Sequence, residues 1–139
     1  MNIESKITIS NDKGLLDLDV IHGFLTTSYW APGRTREQVR TTVENSLCFG
    51  LHLDGAQVGF ARVVTDGAVF AYLMDVFILE AHRGKGYSKL LLQHIFSDPK
   101  LSHIPKWLLG TQDAHALYRQ FGFTDLAHPE RMMEWKRAL

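Results

Sequence analysis

The chain has 139 residues and a mass of 15.8 kDa, with 45% apolar and 22% charged residues; these proportions predict a single globular domain, residues 1–139, with one core. Its 15 Lys and Arg balance 15 Asp and Glu, so no basic field draws nucleic acid or an anionic membrane, and neither is expected as a partner. Cys48 is the sole cysteine, which excludes an intrachain disulfide and the disulfide-stapled class of exported domains.

The polar opening stretch MNIESKITISNDKG has no signal-peptide apolar core, and a cytoplasmic protein is the expectation. Within it, KITIS (residues 6–10) alternates as a short strand does. Residues 15–28 carry Leu15, Leu18, Ile21 and Leu25 at helical spacing. A Pro/Gly loop, SYWAPGRT, leads to a second helix over residues 35–46, with Thr35 as N-cap and Gln38 placed for a capping box. Residues 48–79 read as three strands punctuated by Asp54-Gly55 and Asp66-Gly67, both suited to tight hairpin turns. The third of these is nearly all apolar, as when both faces are covered. It contains Asp75, and it is too short to cross a bilayer.

After that strand comes RGKGYSK, then a helix over residues 88–98 stopped by Pro99. KWLLG (residues 106–110) reads as a short strand, and residues 113–123 as a helix capped by Asp113 and ended by Gly122. A last strand is expected over residues 130–137, with room for one more around 123–126. Hairpin-joined strands followed by strand-helix-strand imply an α/β (α+β) fold, a mixed sheet covered by helices. The seven histidines form neither HxxxH nor HExxH, so no metal is expected.

The glycine turn opening the helix at residue 88 is the strongest local signal. The first N–H groups of a helix lack internal partners and sit at the positive end of its dipole. Glycines let a ligand approach the backbone. RGKGYSK therefore has the makings of an anion site, to which Arg83, Lys85 and Lys89 can add charge. It is not a phosphate loop of the GxxxxGK[ST] kind, and a dinucleotide GxGxxG would need glycine where Lys89 stands. An ordinary strand-to-helix turn remains the plain alternative.

RGKGYS (residues 83–88) resembles the R/Q-x-x-G-x-G/A signature of the GNAT superfamily of acyl-CoA-dependent N-acyltransferases, with Arg83 first, Gly86 central and Ser88 in place of the last Gly/Ala. ALYRQFGF (residues 116–123) resembles the family's later helix with L-Y-x-x-x-G-F. The resemblance covers almost the whole chain. It implies a GNAT fold: a mixed, mostly antiparallel sheet of about six to seven strands flanked by about four helices. It also implies acetyl-CoA as cosubstrate. The pyrophosphate would sit on the backbone of Arg83, Gly84, Lys85, Gly86, Tyr87 and Ser88, close to Lys89. The pantetheine arm would run along Val76, Phe77 and Ile78, with a backbone N–H aimed at the thioester carbonyl. Tyr118 would be the general acid that protonates the departing sulfur.

For the base, Asp75 stands out, because a carboxylate in an apolar strand is costly to bury unpaired, and burial makes it more basic. Equally, it would serve a strand bulge or pair with an arginine. Glu80 and a water chain are the other routes for the proton. The acceptor, a small-molecule or peptide amine, would be walled by Tyr29 and Trp30, with the planar fork of Arg34 placed to take an acceptor carboxylate. A loop containing His128 and Glu130 would close the other side. Dimers are common in the superfamily, so a homodimer is compatible. The competing readings are a non-catalytic CoA-binding sensor with the same fold and an interaction domain without a CoA site. Thiol release from acetyl-CoA separates the first from an enzyme, and the effect of CoA on melting temperature tests the second.

Overall fold

The structure, a computed structural model, describes residues 5–137. Five strands form one sheet in chain order: β1 (Ile7–Ser10), β2 (Leu47–Leu53), β3 (Ala56–Thr65), β4 (Phe70–Ile78) and β5 (Lys106–Leu109). The first four pair antiparallel, and β5 joins β4 in parallel. The β2–β3 turn is made by Asp54 (φ 50°) and Gly55 (φ 87°). Two consecutive positive φ values match the twist of the strands they join, which is why Asp-Gly suits this turn.

Helices α1 (Leu18–Leu25) and α2 (Arg36–Glu44) cover one face of the sheet. The expected first helix is shortened: residues 13–15 form a 3₁₀ turn, and the Asp17 carboxylate accepts from the N–H groups of Asp19 and Val20 to start α1. The capping box of Thr35 and Gln38 opens α2 as expected. Ile21, Leu25, Val39 and Val43 pack there on Cys48, Phe60 and Phe77. Helix α3 (Tyr87–Ser97) crosses over from β4 to β5, and with the short α4 (His115–Arg119) it covers the other face. There Leu91, Leu92 and Ile95 pack on Phe49, Leu51, Val63 and Leu73.

Cys48 lies fully buried under α2, and burial pushes its thiol up to about 11. At pH 8 it is a protonated thiol out of reach, and the thiolate is the reactive form. Native protein should resist an aromatic disulfide reagent at this pH and react only in denaturant. Fast labelling of the native protein would mean that α2 opens readily from the sheet.

The sheet is smaller than expected. Residues 123–126 make no strand, and residues 130–137 begin in a 3₁₀ turn (Pro129–Arg131) and continue without a ladder. Met133 and Trp135 are 96% and 76% exposed. An alternating pattern makes a strand possible, but a strand needs a neighbour to bond with, and this segment meets none among the described residues. Helix α4 also begins one residue later than expected, with Ala114 in place of Asp113 as its N-cap. The Ala114 N–H is held by the Thr111 hydroxyl and no side chain caps the first turn; the helix ends at Arg119 with Gln120 as C-cap, so the left-handed Gly122 (φ 93°) lies two residues past the cap instead of directly after it. Among the described residues no helix is long and apolar enough to cross a membrane.

Candidate active site

The site is built around an irregularity in β4. Phe60 faces Phe77, but Arg62 faces Met74, so β4 holds one residue more than β3 over the same span. This is a β-bulge, centred on Asp75 (φ 54°). Asp tolerates the left-handed region better than most residues, and here it turns a carboxylate toward the α1/α2 side. Consecutive residues Met74 and Asp75 both reach Arg62: its Nη2 lies 3.3 Å from the Met74 sulfur and its Nε donates to Asp75 Oδ2 at 2.9 Å.

Beyond the bulge β4 loses its parallel neighbour. Pairing with β5 ends at Leu73 and Leu109, whereas β4 runs on to Ile78. The Leu79 N–H bonds to the Val58 carbonyl at 2.8 Å, and Phe77 faces Phe60 two residues back. By the alternation of an antiparallel ladder, the polar backbone groups of Val76 and Ile78 then point away from β3, into the gap. The Ile78 carbonyl is taken by Arg83 Nε at 3.0 Å. Phe77 is not brought to the site: its backbone faces β3, and its ring stacks on Phe24 with centroids 4.1 Å apart.

A cleft of about 370 Å³ opens at the bulge end of this gap. One wall is the α1–α2 loop, with Tyr29, Trp30 and Arg34; the other is residues 110–114, with Tyr118 behind them and Tyr72, Met74 and Val76 along the floor. The Tyr29 hydroxyl accepts from the Gln112 N–H at 2.9 Å, tying the two walls together. Tyr118 is 8% exposed, and burial, with smaller contributions from Tyr29 and Asp113, pushes its phenol up to about 12. It therefore stays protonated across any physiological pH.

Asp75 lies between Met74 and Val76 along the cleft, with its side chain 0% exposed. Its Oδ1 accepts from Trp30 Nε1 at 2.9 Å, and its Oδ2 from Arg34 Nη1 at 2.8 Å and Arg62 Nε at 2.9 Å. Arg62 also donates to the Ser46 hydroxyl at 3.1 Å. Both halves of the alternative reading of Asp75, a bulge and an arginine partner, are realised together. With both oxygens held by three donors, the carboxylate is committed to positioning Trp30, Arg34 and Arg62.

At the far end of the gap, a 3₁₀ turn (Glu80–His82) leads into the glycine turn. Gly84 (φ 78°) and Gly86 (φ 80°) are both left-handed, a conformation open to glycine at little cost. Gly86 is the N-cap of α3 and supplies no side chain to its first turn. The N–H groups of Tyr87, Ser88 and Lys89 thus keep the anion-binding character of an uncapped helix start. Lys85 and Lys89 are exposed beside it. The Arg83 N–H is taken by the Glu80 carbonyl at 3.2 Å, so it does not join the free N–H groups expected at the turn; its guanidinium lies over the Phe24 ring, with Nε on the Ile78 carbonyl.

His128 and Glu130 are not at the cleft. They bond to each other at 3.2 Å on the surface, and residues 110–114 form the wall assigned to them. Sequence reasoning missed Arg62, Tyr72 and Gln112. Arg62 had a readable signal, since it is a charge in the apolar run of β3 and so the natural partner for the charge in β4. Tyr72 and Gln112 had none. No group of three His, Cys, Asp or Glu side chains able to hold a metal occurs among the described residues.

Comparison with known proteins agrees with this architecture. The family model described as "Acetyltransferase (GNAT) domain" matches residues 44–125, which contain the bulge, the open edge, the glycine turn and Tyr118. A protein of the fungus Gibberella zeae, provisionally named an acetyltransferase, is 30% identical over 84% of this chain and 78% of its own. The crystal structure of a GNAT-family protein from Xanthomonas campestris pv. campestris, also provisionally named an acetyltransferase, is 43% identical, covers 95% of this chain and 94% of its own, and superposes with a TM-score of 0.92. N-acetylglutamate synthase from Neisseria gonorrhoeae, crystallised with coenzyme A and N-acetyl-glutamate, shares the fold at a TM-score of 0.72 and 19% identity, over 92% of this chain and 30% of its own. The bulged and splayed strand, the uncapped glycine turn and these matches lead to one assignment: the chain belongs to the GNAT acetyltransferase family.

Proposed function

We propose that the chain transfers an acetyl group from acetyl-CoA to the primary amine of a small molecule or peptide. The observation that carries this is the unpaired edge of β4, which runs from the glycine turn at one end to the cleft containing Tyr118 at the other. The N–H groups at the start of α3 take the pyrophosphate, with Lys85 and Lys89 nearby. The pantetheine amides continue the β4 ladder along Val76 and Ile78, where a second strand is missing. The coenzyme A held by the fold neighbour from Neisseria gonorrhoeae supports this donor by analogy of fold.

In the reaction, the neutral amine attacks the thioester carbon, and the Val76 N–H faces the oxygen on which charge develops. The new C–N bond forms, the C–S bond breaks, and the thiolate takes a proton from the Tyr118 hydroxyl. The proton lost by the amine passes to water in the open cleft, and the same water returns a proton to the Tyr118 phenolate. Asp75 holds Trp30 and Arg34 in position and is assigned no proton transfer.

The first test is calorimetric titration with acetyl-CoA, desulfo-CoA and ATP. Micromolar binding of both CoA forms, without ATP binding, is expected. Thiol release across an amine panel then separates an enzyme from a CoA sensor, because binding without turnover to any amine would favour the sensor. Gly86→Glu should weaken acetyl-CoA binding by about a hundredfold or more, since it brings a carboxylate to the anion site at a left-handed position. Unchanged binding in that variant would overturn the pyrophosphate placement.

A further inference from the structure

We propose that the acceptor is a small amine that itself carries a carboxylate, and that Arg34 receives that carboxylate. The proposal rests on the acetyl-transfer reading above and names its substrate class.

The buried cluster beside the cleft is not charge-balanced. Arg34 and Arg62 carry two positive charges against the single carboxylate of Asp75, whose side chain is 0% exposed. Arg62 is spent inward: its donors go to Asp75, Ser46 and Met74. Arg34 is different. Among the described residues only its Nη1 is engaged, by Asp75, and its side chain, 19% exposed, lines the cleft. A guanidinium has five N–H donors in a planar fork, so most of the fork has no partner among the described residues; the side chain borders this cleft on one side and a second hollow, with Glu37 and Gln38, on the other. Its orientation is already set, because Trp30 holds the other oxygen of the same carboxylate. A pinned, half-buried guanidinium with a surplus charge beneath it is a preorganised receptor for an oxyanion.

Position makes the anion part of the acceptor. Asp75, which pins Arg34, directly precedes Val76, whose N–H faces the thioester carbonyl in the proposed reaction, and neighbouring Cα atoms are about 3.8 Å apart. A carboxylate on Arg34 therefore belongs to a molecule whose amine is only a few bonds away. The cleft, about 370 Å³, suits something of amino-acid size beside the acyl arm. The remaining charged group along it is Asp113, on the opposite wall, with the sign to attract the ammonium end of such a zwitterion. A polyamine would bring positive charge against Arg34 and Arg62, which selects against it. The carboxylate is chemically unchanged by the reaction; it positions the amine.

The test measures thiol release by the full chain with saturating acetyl-CoA. The acceptors are the twenty α-amino acids, β-alanine and γ-aminobutyrate, each beside its carboxamide, with spermidine and tyramine as amines lacking a carboxylate. At least one amino acid should be used with kcat/KM about a hundredfold or more above its own amide. Arg34→Gln should raise KM for that acceptor about tenfold or more, leave KM for acetyl-CoA in place, and erase the preference for acid over amide. Arg34→Lys should restore part of it. Equal use of amides or spermidine would overturn the carboxylate receptor while leaving acetyl transfer standing, as would an Arg34→Gln effect of the same size on acid and amide. Absence of turnover with every amine would sink the acetyl-transfer reading itself. The receptor is then decided by calorimetry of the CoA-loaded protein with N-acetyl amino acids and their amides. Binding of the acids alone, lost in Arg34→Gln, supports it, and no difference between acids and amides overturns it.

Discussion

Tyr118→Phe should lower kcat by about a hundredfold or more, the usual range for loss of a positioned general acid, and leave acetyl-CoA affinity within about twofold. The ring fills space in the core beside Phe123 and the α3 residues, and phenylalanine keeps that ring, so the fold should persist. What is lost is a proton donor used only as the thiolate departs, which makes the effect one on kcat rather than on binding. The pH profile gives a second reading of the same group. Burial pushes the phenol up to about 12, so the acid form persists well beyond the ordinary tyrosine range. Activity should rise with pH as the acceptor amine becomes neutral, and no falling limb from Tyr118 should appear below about pH 11. Tyr118→Phe with full kcat would remove the residue from the chemistry. A drop in acetyl-CoA affinity of the same size as the drop in kcat would make its role structural.

Asp75→Asn should destabilise the fold by about 3 kcal/mol or more, the cost of leaving a buried charge without its partner, and lower the melting temperature by about 10 °C. Asparagine accepts the left-handed backbone at this position, so the change isolates the charge from the bulge. With the carboxylate gone, Arg34 and Arg62 repel each other across a neutral amide, Trp30 loses its acceptor's charge, and the cleft wall loosens. Acceptor KM should rise with the loss of stability. The base role gives the opposite pattern: a folded protein of unchanged melting temperature with normal acceptor KM, reduced kcat, and a shifted acidic limb in its pH profile. Thermal unfolding followed by steady-state kinetics on the same preparation distinguishes the two.

Most of the framework was legible because it depends on local chemistry. The capping box at Thr35 and Gln38, the turn at Asp54-Gly55, the glycine turn and the apolar faces of α2 and α3 each follow from residues within a few positions of one another. The failures share the opposite character. Residues 130–137 alternate as a strand should, yet whether they become one depends on meeting a partner. Asp113 has the chemistry of a cap, but the backbone placed Ala114 at that position, with no side chain capping the first turn and the Ala114 N–H held by Thr111.

The candidate site divides along the same line. The parts list can be read from residue order alone: a glycine turn ahead of a helix, Tyr118 in its motif, and a carboxylate out of place in an apolar strand. That order also places aromatic residues and Arg34 in one Pro/Gly loop, because these are facts about adjacent residues. The surroundings of Asp75, in contrast, come from folding. Its neighbours in space, Trp30, Arg34 and Arg62, lie 45, 41 and 13 residues away along the chain. A carboxylate's chemistry is set by the charges and donors within a few ångströms of it, and the chain order does not encode which ones those are.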